Sequence, residues 1–306
     1  MNSNYKVNPS NLLHSLVISL RPYQWIKNLL VFSGLIFSRS LFDREAIELS
    51  FTAFVLFCMA SSSIYLLNDL KDLEQDRIHP EKRLRPLAAG KIRPGIAILM
   101  MIILLSCSEI LAWSLQPKFA FVMNIYLFMN FAYSFGLKKI VIVDVIIVAM
   151  GFLLRAIAGA VVIGVQPSHW LILCTLMLAL LLSLGKRRSE LTLLNDSAHN
   201  HRQSLGKYSI QYLDMIMSLA GSASIITYAL YTMSEETIHR VGSSILIYTT
   251  PLVIYGVFRY FYLVYNGNKS ADPTRLLITD IPLILSIILW IVLVCIFIYF
   301  HPGLAI

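Results

Sequence analysis

Long apolar stretches, separated by short polar segments, make up most of this sequence. Nine of them are long enough to cross the roughly 30 Å hydrocarbon core of a membrane as helices of about 20 residues. They lie near residues 24–42, 47–69, 95–115, 118–136, 140–163, 169–185, 212–233, 242–263 and 278–300. Uninterrupted apolar runs such as residues 281–300 differ from the alternating strands of a membrane β-barrel. The pattern therefore predicts an all-α, polytopic membrane protein with about nine transmembrane helices, built as a single domain over residues 1–306.

The composition supports a membrane protein and excludes an ordinary water-soluble domain. Hydrophobic residues make up 57% of the 306 residues and charged residues only 14%, against about 25% charged residues in soluble domains. With nine crossings, twenty Lys and Arg residues fall on one face of the membrane and four on the other. Basic residues concentrate on the cytoplasmic side, so the richer face is predicted to be cytoplasmic, in the cell inner (plasma) membrane. Topology accounts for the net charge of +8, and we expect no nucleic-acid partner.

Two segments on the predicted cytoplasmic face, residues 70–94 and 186–211, are longer than the turns elsewhere. The N-terminal residues 1–20 are predicted on the same face. Long polar loops on one side of a bundle commonly carry function. We therefore expect a cytoplasm-facing site formed by these two loops.

Three carboxylates lie where the second predicted crossing ends. In a continuous helix, Asp69, Asp72 and Asp76 fall within an arc of about 60°. Such carboxylates repel one another, and a helix C-terminus also disfavours anions, so the cluster needs a compensating cation. Hard oxygen ligands, with positions left for phosphate oxygens, are typical of a Mg²⁺ site. The alternative is a solvated acidic helix end paired with Lys71 and Arg77.

A basic segment follows the acidic one. Prolines stiffen the chain around Lys82, Arg83 and Arg85, which the sequence places beside the predicted metal site. Cations there are suited to bind phosphate oxygens, although each is also explained as an ordinary residue of a cytoplasmic loop. His79 either contacts phosphate or stabilises the loop through a hydrogen bond.

These residues belong to longer motifs. Residues 68–86 fit the pattern NDxxDxxxDRxHPxKxxRP, residues 21–28 read RPYQWIKN, residues 133–138 read YSFGLK and residues 185–191 read GKRRSEL. Together with a nine-helix layout, the motifs resemble the UbiA superfamily of intramembrane prenyltransferases over nearly the whole chain. The resemblance implies a UbiA-like bundle in which the acidic motif holds Mg²⁺ and a diphosphate. The extended motif more specifically resembles the superfamily's decaprenyl-phosphate phosphoribosyltransferase branch.

The second loop departs from the superfamily members that use a prenyl diphosphate. Those relatives carry an acidic DxxxD motif after the sixth crossing, where this chain has Lys186, Arg187 and Arg188. Fixed cations would balance a donor that carries a further phosphate besides its diphosphate. Phosphoribosyl pyrophosphate is such a donor. The alternative is that these three residues only anchor a helix end.

The resemblance thus implies an enzyme that transfers the 5-phosphoribosyl group of phosphoribosyl pyrophosphate to a polyprenyl phosphate and releases pyrophosphate. Mg²⁺ is the expected cofactor, and Asp69, Asp72 and Asp76 are the expected catalytic and metal-binding residues. The expected substrate-binding residues are Lys27, Asn68, Arg77, Lys82, Arg85, Tyr133, Lys138, Lys186, Arg187 and Tyr208. Lys27 and Lys138 are suited to the acceptor phosphate, whose second pKa near 6 removes the need for a strong general base. By resemblance, the product would feed arabinofuranosyl-lipid and cell-envelope glycan synthesis, and a homo-oligomer is left open.

Two ionisable residues fall inside the fifth predicted crossing. Asp144 and Arg155 lie about 16 Å apart along one helix, which is too far for them to pair. Asp144 is expected to border the site, whereas Arg155 either links helices or faces a polar cavity. Asp272 and Arg275 are expected to structure the last cytoplasmic loop.

Two other functions compete with this interpretation. An aromatic prenyltransferase of the same fold would share the first motif but would normally need the second acidic one. A secondary transporter would also place charges in a membrane bundle. However, the charges here concentrate at one face, and the sequence shows no inverted pair of interrupted helices.

Overall fold

The computed structural model describes residues 9–194, 204–266 and 273–300, and every regular element in these ranges is a helix. The α-helices are α1 (Pro9–Leu20), α2 (Ser33–Phe37), α3 (Arg44–Lys71), α4 (Leu73–Ile78), α5 (Pro94–Leu115), α6 (Pro117–Phe135), α7 (Val143–Val162), α8 (His169–Leu194), α9 (Ile210–Met233), α10 (Glu235–Val241), α11 (Thr250–Tyr265), α12 (Pro273–Thr279) and α13 (Ile281–Phe300). Short 3₁₀ helices lie at Pro22–Phe32, Lys82–Leu84, Leu137–Lys139, Leu205–Lys207 and Ile245–Thr249. The predicted all-α architecture is confirmed.

Within the described residues, seven helical segments are long and apolar enough to cross a membrane. They are α3, α5, α7, α8, α9, α13 and the run Ile245–Tyr265, which joins a 3₁₀ helix to α11. The first predicted crossing, residues 24–42, is instead a 3₁₀ helix followed by the five-residue α2. The fourth is the single helix α6, which is not among these seven segments. The polytopic membrane architecture is confirmed, but the count of nine is not.

The helix α8 continues past the predicted end of the sixth crossing at residue 185 and runs to Leu194. The prediction of a loop from residue 186 onward is therefore wrong for residues 186–194. The reason is local, because Lys, Arg, Glu and Leu favour helices and Arg187 pairs with Glu190 three positions along at 2.7 Å. The rest of that predicted loop up to residue 203, and Asp272, lie outside the described residues.

Four hydrophobic clusters lie within the described residues, and the two largest pack long helices of the bundle. One packs α3, α6 and α7 around buried side chains that include Phe57 and Met123. The other packs α8, α9 and α11 around Leu181, Leu213 and Val257. Many further large apolar side chains are exposed on the outer faces of the long helices. Outward apolar faces suit a bundle that is surrounded by lipid rather than water.

The 3₁₀ helix Pro22–Phe32 lies directly against α7. A Cβ added to Gly159 would overlap the carbonyl oxygen of Val31, and one added to Gly34 would lie 2.7 Å from the α7 backbone. Only glycine allows such a close backbone approach at these two positions. The contact brings the start of the 3₁₀ helix, and with it Arg21, to the end of α3.

The helix α3 ends at Lys71, inside the acidic motif. Asp72 has φ −93° and ψ 11° and separates α3 from α4. The prediction that one continuous helix carries all three aspartates is therefore wrong, because the chain turns at Asp72. Asp is a weak helix former that favours helix ends, which explains the turn. The helices α3 and α6 terminate, and α7 begins, at the same end of the bundle. We call this end the polar end.

Candidate active site

Asp69 and Asp76 lie together at the polar end, on either side of the turn at Asp72. Their side chains are almost fully buried, at 3% and 2% exposure. One nitrogen, Nη1 of Arg85, joins them: it lies 3.1 Å from Asp69 Oδ1 and 2.5 Å from Asp76 Oδ2. Arg21 forms a second ion pair with Asp69. The structure thus brings two of the three predicted carboxylates together and balances them with two guanidinium groups.

Asp72 faces a different partner. Lys138, from the short 3₁₀ helix after α6, places its Nζ 2.8 Å and 2.9 Å from the two carboxylate oxygens of Asp72. One turn earlier, Asn68 Oδ1 accepts a hydrogen bond from Ser134 Oγ at 2.6 Å. These two contacts tie the acidic motif to the end of α6. Both Lys138 and Asn68, predicted as substrate contacts, are engaged with the protein itself.

The number of carboxylates that lie together decides whether the aspartates suit a Mg²⁺ ion. Within the described residues, no three His, Cys, Asp or Glu side chains form a group that could hold a metal ion on their own. Mg²⁺, however, is usually bound by one or two carboxylates together with water and substrate phosphate oxygens. Two buried carboxylates that share one nitrogen meet that smaller requirement. The donor set therefore fits a Mg²⁺ ion that arrives with a phosphorylated substrate.

Lys82 belongs to the first predicted loop. Its side chain is half-buried and interacts electrostatically with Asp76 and Asp72 of the acidic motif and with Glu190 near the end of α8. Burial, and then the nearby charge of Arg85, lower the pKa of Lys82 below its usual 10.5. Lys82 thus links the acidic motif to the end of α8 electrostatically.

Other residues of the basic segment point elsewhere. Arg77 is exposed and pairs with Glu74 at 2.8 Å, away from the buried aspartates. Arg83 is also exposed. His79 Nδ1 accepts hydrogen bonds from the backbone nitrogens of residues 81 and 82, at 3.2 Å and 3.3 Å. These bonds support the loop-stabilising interpretation of His79.

Arg187 forms the centre of a second ionic cluster. It is 2% exposed, and each of its three nitrogens donates to a protein group. Nε lies 2.8 Å from Asp144 Oδ2, Nη1 lies 2.7 Å from Glu190 Oε2, and Nη2 lies 3.3 Å from Tyr133 Oη. Two carboxylates therefore neutralise a residue that was expected to bind substrate. In this arrangement Arg187 fixes the positions of its neighbours.

Asp144 borders the site as expected, and it is fully buried. Besides Arg187, it accepts a hydrogen bond from Tyr208 Oη at 2.8 Å. Tyr208 in turn accepts one from the backbone nitrogen of Ile142 at 2.6 Å, at the start of α7. Burial raises the pKa of Tyr208, so its hydroxyl stays protonated and can donate to Asp144. Tyr133 and Tyr208 are thus joined to one cluster by Asp144 and Arg187.

Lys27 and Lys186 are both half-buried. The Lys27 Nζ lies 6.0 Å from the centre of the Phe152 ring on α7, below the polar end. Lys186 forms no ion pair with any described residue. Neither lysine directly contacts the three aspartates in the described structure.

Arg155 lies deeper in the bundle, and the prediction that it does not pair with Asp144 is confirmed. It is 5% exposed, and its hydrogen bonds go only to uncharged groups. These are Asn28 Oδ1 at 2.6 Å, the Gly151 carbonyl oxygen at 2.6 Å and Tyr126 Oη at 2.8 Å. Arg155 therefore links α6, α7 and the 3₁₀ helix.

Two contributors were missing from the expected site. Arg21 adopts the left-handed conformation at φ 54° and ψ 59°, just before a proline, and reaches Asp69. Its signal was a basic residue at the start of the RPYQWIKN motif. Glu190 belongs to the GKRRSEL motif, and its spacing of three from Arg187 could have suggested their ion pair.

The fold and the site together define a class: a polytopic helical membrane protein with two buried ionic clusters at one end of the bundle. Residues 30–288 match the sequence model of the UbiA prenyltransferase family, and the chain belongs to this family. The resemblance that the motifs suggested is confirmed.

The relatives extend over almost the whole chain. A decaprenyl-phosphate phosphoribosyltransferase from Mycolicibacterium smegmatis is 34% identical over 302 residues, covering 95% of both chains. One from Mycobacterium tuberculosis is 34% identical over 287 residues, covering 92% of this chain and 94% of that protein. A solved UbiA homologue from Archaeoglobus fulgidus, bound to GPP and Mg²⁺, aligns with a TM-score of 0.69 over 93% of this chain and 99% of that chain. At 19% identity, this last likeness shows the shared fold.

Proposed function

We propose that this protein transfers the 5-phosphoribosyl group of phosphoribosyl pyrophosphate to a polyprenyl phosphate. Similarity over 95% of the chain to a decaprenyl-phosphate phosphoribosyltransferase is the observation that carries the proposal. The site agrees with it, because carboxylates and cations alternate at the polar end. Such a site can accept a donor with many negative charges together with a divalent cation.

In the proposed reaction, an oxygen of the lipid phosphate forms a bond to the anomeric carbon of ribose. The bond from that carbon to the pyrophosphate oxygen breaks, and pyrophosphate leaves with the bonding electrons. The lipid phosphate is largely dianionic at neutral pH, so no strong general base is required. The hydrocarbon tail of the acceptor explains why the site lies within a membrane bundle.

Asp69, Asp72 and Asp76 are the residues that would hold Mg²⁺. When bound, the ion would neutralise negative charge on the leaving diphosphate. The guanidinium groups of Arg21 and Arg85 pair with the two buried aspartates and fix their orientation. The same two arginines are placed to meet diphosphate oxygens at the polar end.

The remaining predicted residues take unequal parts in this proposal. Lys82 and Lys186, both half-buried, are assigned to the phosphates of the donor. Arg187 is a positioning residue that acts with Tyr133 and Tyr208 through Asp144. Asn68, Lys138 and Arg77 are assigned to the frame of the acidic motif, given their present partners. The site is proposed to face the cytoplasm from the plasma membrane and to serve glycan-precursor synthesis.

Purified protein in detergent provides the test. It is incubated with Mg²⁺, a polyprenyl phosphate and radiolabelled phosphoribosyl pyrophosphate, and both pyrophosphate and labelled lipid are measured. The proposal expects equal amounts of the two products. A parallel reaction receives a prenyl diphosphate and an aromatic acid. Turnover in the parallel reaction alone would contradict the proposal and identify an aromatic prenyltransferase.

A further inference from the structure

A second group of cations lies below the polar end, toward the middle of the membrane. Arg155 and Lys27 approach the same aromatic ring: the Arg155 guanidinium carbon lies 5.8 Å and the Lys27 Nζ 6.0 Å from the centre of the Phe152 ring. We call Arg155 and Lys27 the inner cations. They belong to two different segments, α7 and the 3₁₀ helix, that glycines hold in close contact.

Arg155 carries a positive charge that no described carboxylate balances. Its three hydrogen bonds go to an amide oxygen, a carbonyl oxygen and a phenol. An arginine has five N–H donors, so two of them have no acceptor among the described residues. A buried cation without an anion is costly in a membrane, where ionisable groups usually serve a ligand path. Arg155 therefore suits an anion that the described residues do not supply.

The depth of the inner cations matches an acceptor that enters from the lipid. Arg155 donates to the Gly151 carbonyl, which lies seven residues, or about 10 Å, along α7 from Asp144 at the polar end. Tyr65, one turn before Asp69 on α3, interacts electrostatically with both Arg155 and Arg21. The guanidinium of Arg21 lies 5.0 Å from the centre of the Tyr65 ring. Tyr65 is thus a polar group shared by Arg155 and by Arg21, which pairs with Asp69 of the acidic motif.

The side chains around Arg155 are partly exposed. Lys27, Phe152 and Tyr65 are each half-buried, whereas Arg155 itself is buried. Lys138, the other residue expected at the acceptor phosphate, forms an ion pair with both oxygens of Asp72 at the polar end. We propose that Lys27 and Arg155 together bind the phosphate group of the polyprenyl acceptor from the membrane side. This assignment rests on the proposed function, because it takes the lipid phosphate from that reaction.

The first test measures how each substrate's KM responds when Arg155 loses its charge. Loss of a charge-assisted hydrogen bond should raise the KM for polyprenyl phosphate about tenfold or more in Arg155→Gln, which corresponds to about 1.4 kcal/mol. The KM for phosphoribosyl pyrophosphate should change less than about threefold, because that donor binds at the polar end. Arg155→Lys, which keeps the charge, should recover part of the lipid affinity. Lys27→Gln should resemble Arg155→Gln and provides a second variant if the latter does not fold.

Arg259→Gln is the matched control. Arg259 is also a partly buried arginine of the bundle, but it pairs with Asp280 at 2.8 Å and lies outside both ionic clusters of the site. Its replacement should lower the melting temperature without changing the KM for the lipid. Equal rises in both KM values for Arg155→Gln, or the same lipid effect in Arg259→Gln, would show a purely structural role and overturn the proposal.

A binding experiment separates this inference from the proposed function. A fluorescent polyprenyl phosphate is displaced, without any phosphoribosyl pyrophosphate, by unlabelled polyprenyl phosphate, by polyprenol of equal length or by inorganic phosphate. The lipid phosphate should displace it at about tenfold lower concentration than the alcohol, and Arg155→Gln should remove this preference. If the variant keeps the preference, or inorganic phosphate competes equally well, the inference fails. If wild-type protein shows the preference but forms no phosphoribosyl lipid, the proposed function fails and the inference stands.

Discussion

Replacing Arg187 with methionine would test whether the second ionic cluster is a frame or a substrate contact. The substitution keeps a long side chain in α8 but removes the charge that joins Asp144, Glu190 and Tyr133. Asp144 would then stay fully buried but lose its ion pair with Arg187, while it keeps its hydrogen bonds from hydroxyl groups. Removing the cation paired with a buried carboxylate is strongly unfavourable, so the folded state should lose stability.

The size of the loss follows from the burial of the two ion pairs. Removing one partner of a buried pair such as Asp144–Arg187 costs about 3–5 kcal/mol. The Glu190 pair adds little, because that side chain is 22% exposed and can be solvated. In Asp144→Asn, Arg187 keeps Glu190 and an amide oxygen, so we expect a smaller loss of about 1–3 kcal/mol. The double variant leaves no unpaired buried charge at Asp144, and its loss should be smaller than the sum by about 1–3 kcal/mol.

Thermal unfolding in detergent can be followed with a thiol-reactive dye, since Cys58 is a free, buried cysteine that unfolding would expose. A loss of about 3–5 kcal/mol corresponds to a melting temperature lower by roughly 6–20 °C. Arg44→Met is the control, because Arg44 is 92% exposed and pairs only with the solvated Glu48. It should melt within about 2 °C of the wild type.

The result that would refute the frame role is specific. If Arg187→Met melts like the wild type while the KM for phosphoribosyl pyrophosphate rises strongly, Arg187 contacts the donor. Additive losses in the Asp144 and Arg187 double variant would likewise show that the two side chains do not stabilise each other.

Three further outcomes follow from the site and the fold. Asp72→Asn should abolish turnover yet melt near the wild-type temperature, because Asp72 is half-buried and Lys138 can remain solvated; full activity would remove Asp72 from the proposed metal site. Burial and the charge of Arg85 lower the pKa of Lys82 below its usual 10.5, so Lys82 should lose its proton, and activity should fall, before the pH reaches 10.5. Lys82→Arg, which stays charged, should move that fall to higher pH in a pH–rate profile. Gly159→Val should prevent recovery of folded, monodisperse protein because its side chain would overlap Val31, whereas Gly256→Ala, with its nearest neighbour at 3.7 Å, should purify normally.

The sequence was sufficient to predict the helical membrane architecture. Long apolar runs and one-sided basic residues are strong signals that depend little on tertiary detail. The turn at Asp72 was missed because helical periodicity alone does not reveal where a helix ends. The count of nine crossings is not confirmed for a related reason. The segment Pro22–Phe32 is a 3₁₀ helix that packs closely against α7 at a glycine. Apolarity alone cannot distinguish such a segment from an α-helix that spans the membrane.

The partners of the charged residues could not be predicted from spacing. Arg21 meets Asp69 across 48 residues, and Arg187 meets Asp144 across 43 residues. Such pairs depend on how α3, α7 and α8 pack, which the local pattern does not encode. As a result, Arg187 was assigned to substrate although its nitrogens serve the protein, and Glu190 was not assigned at all.

The internal pairing has a consequence for how the site can accept its ligands. Each aspartate of the acidic motif already has a cation: Arg21 and Arg85 for Asp69, Arg85 for Asp76, and Lys138 for Asp72. A divalent ion arriving alone would compete with these cations, and a diphosphate arriving alone would compete with the carboxylates. When both arrive together, the ion can pair with the carboxylates while the diphosphate pairs with the arginines, so every charge keeps a partner. A site of this composition thus favours a metal–diphosphate complex over either component, which is the chemistry that a phosphoribosyl donor presents.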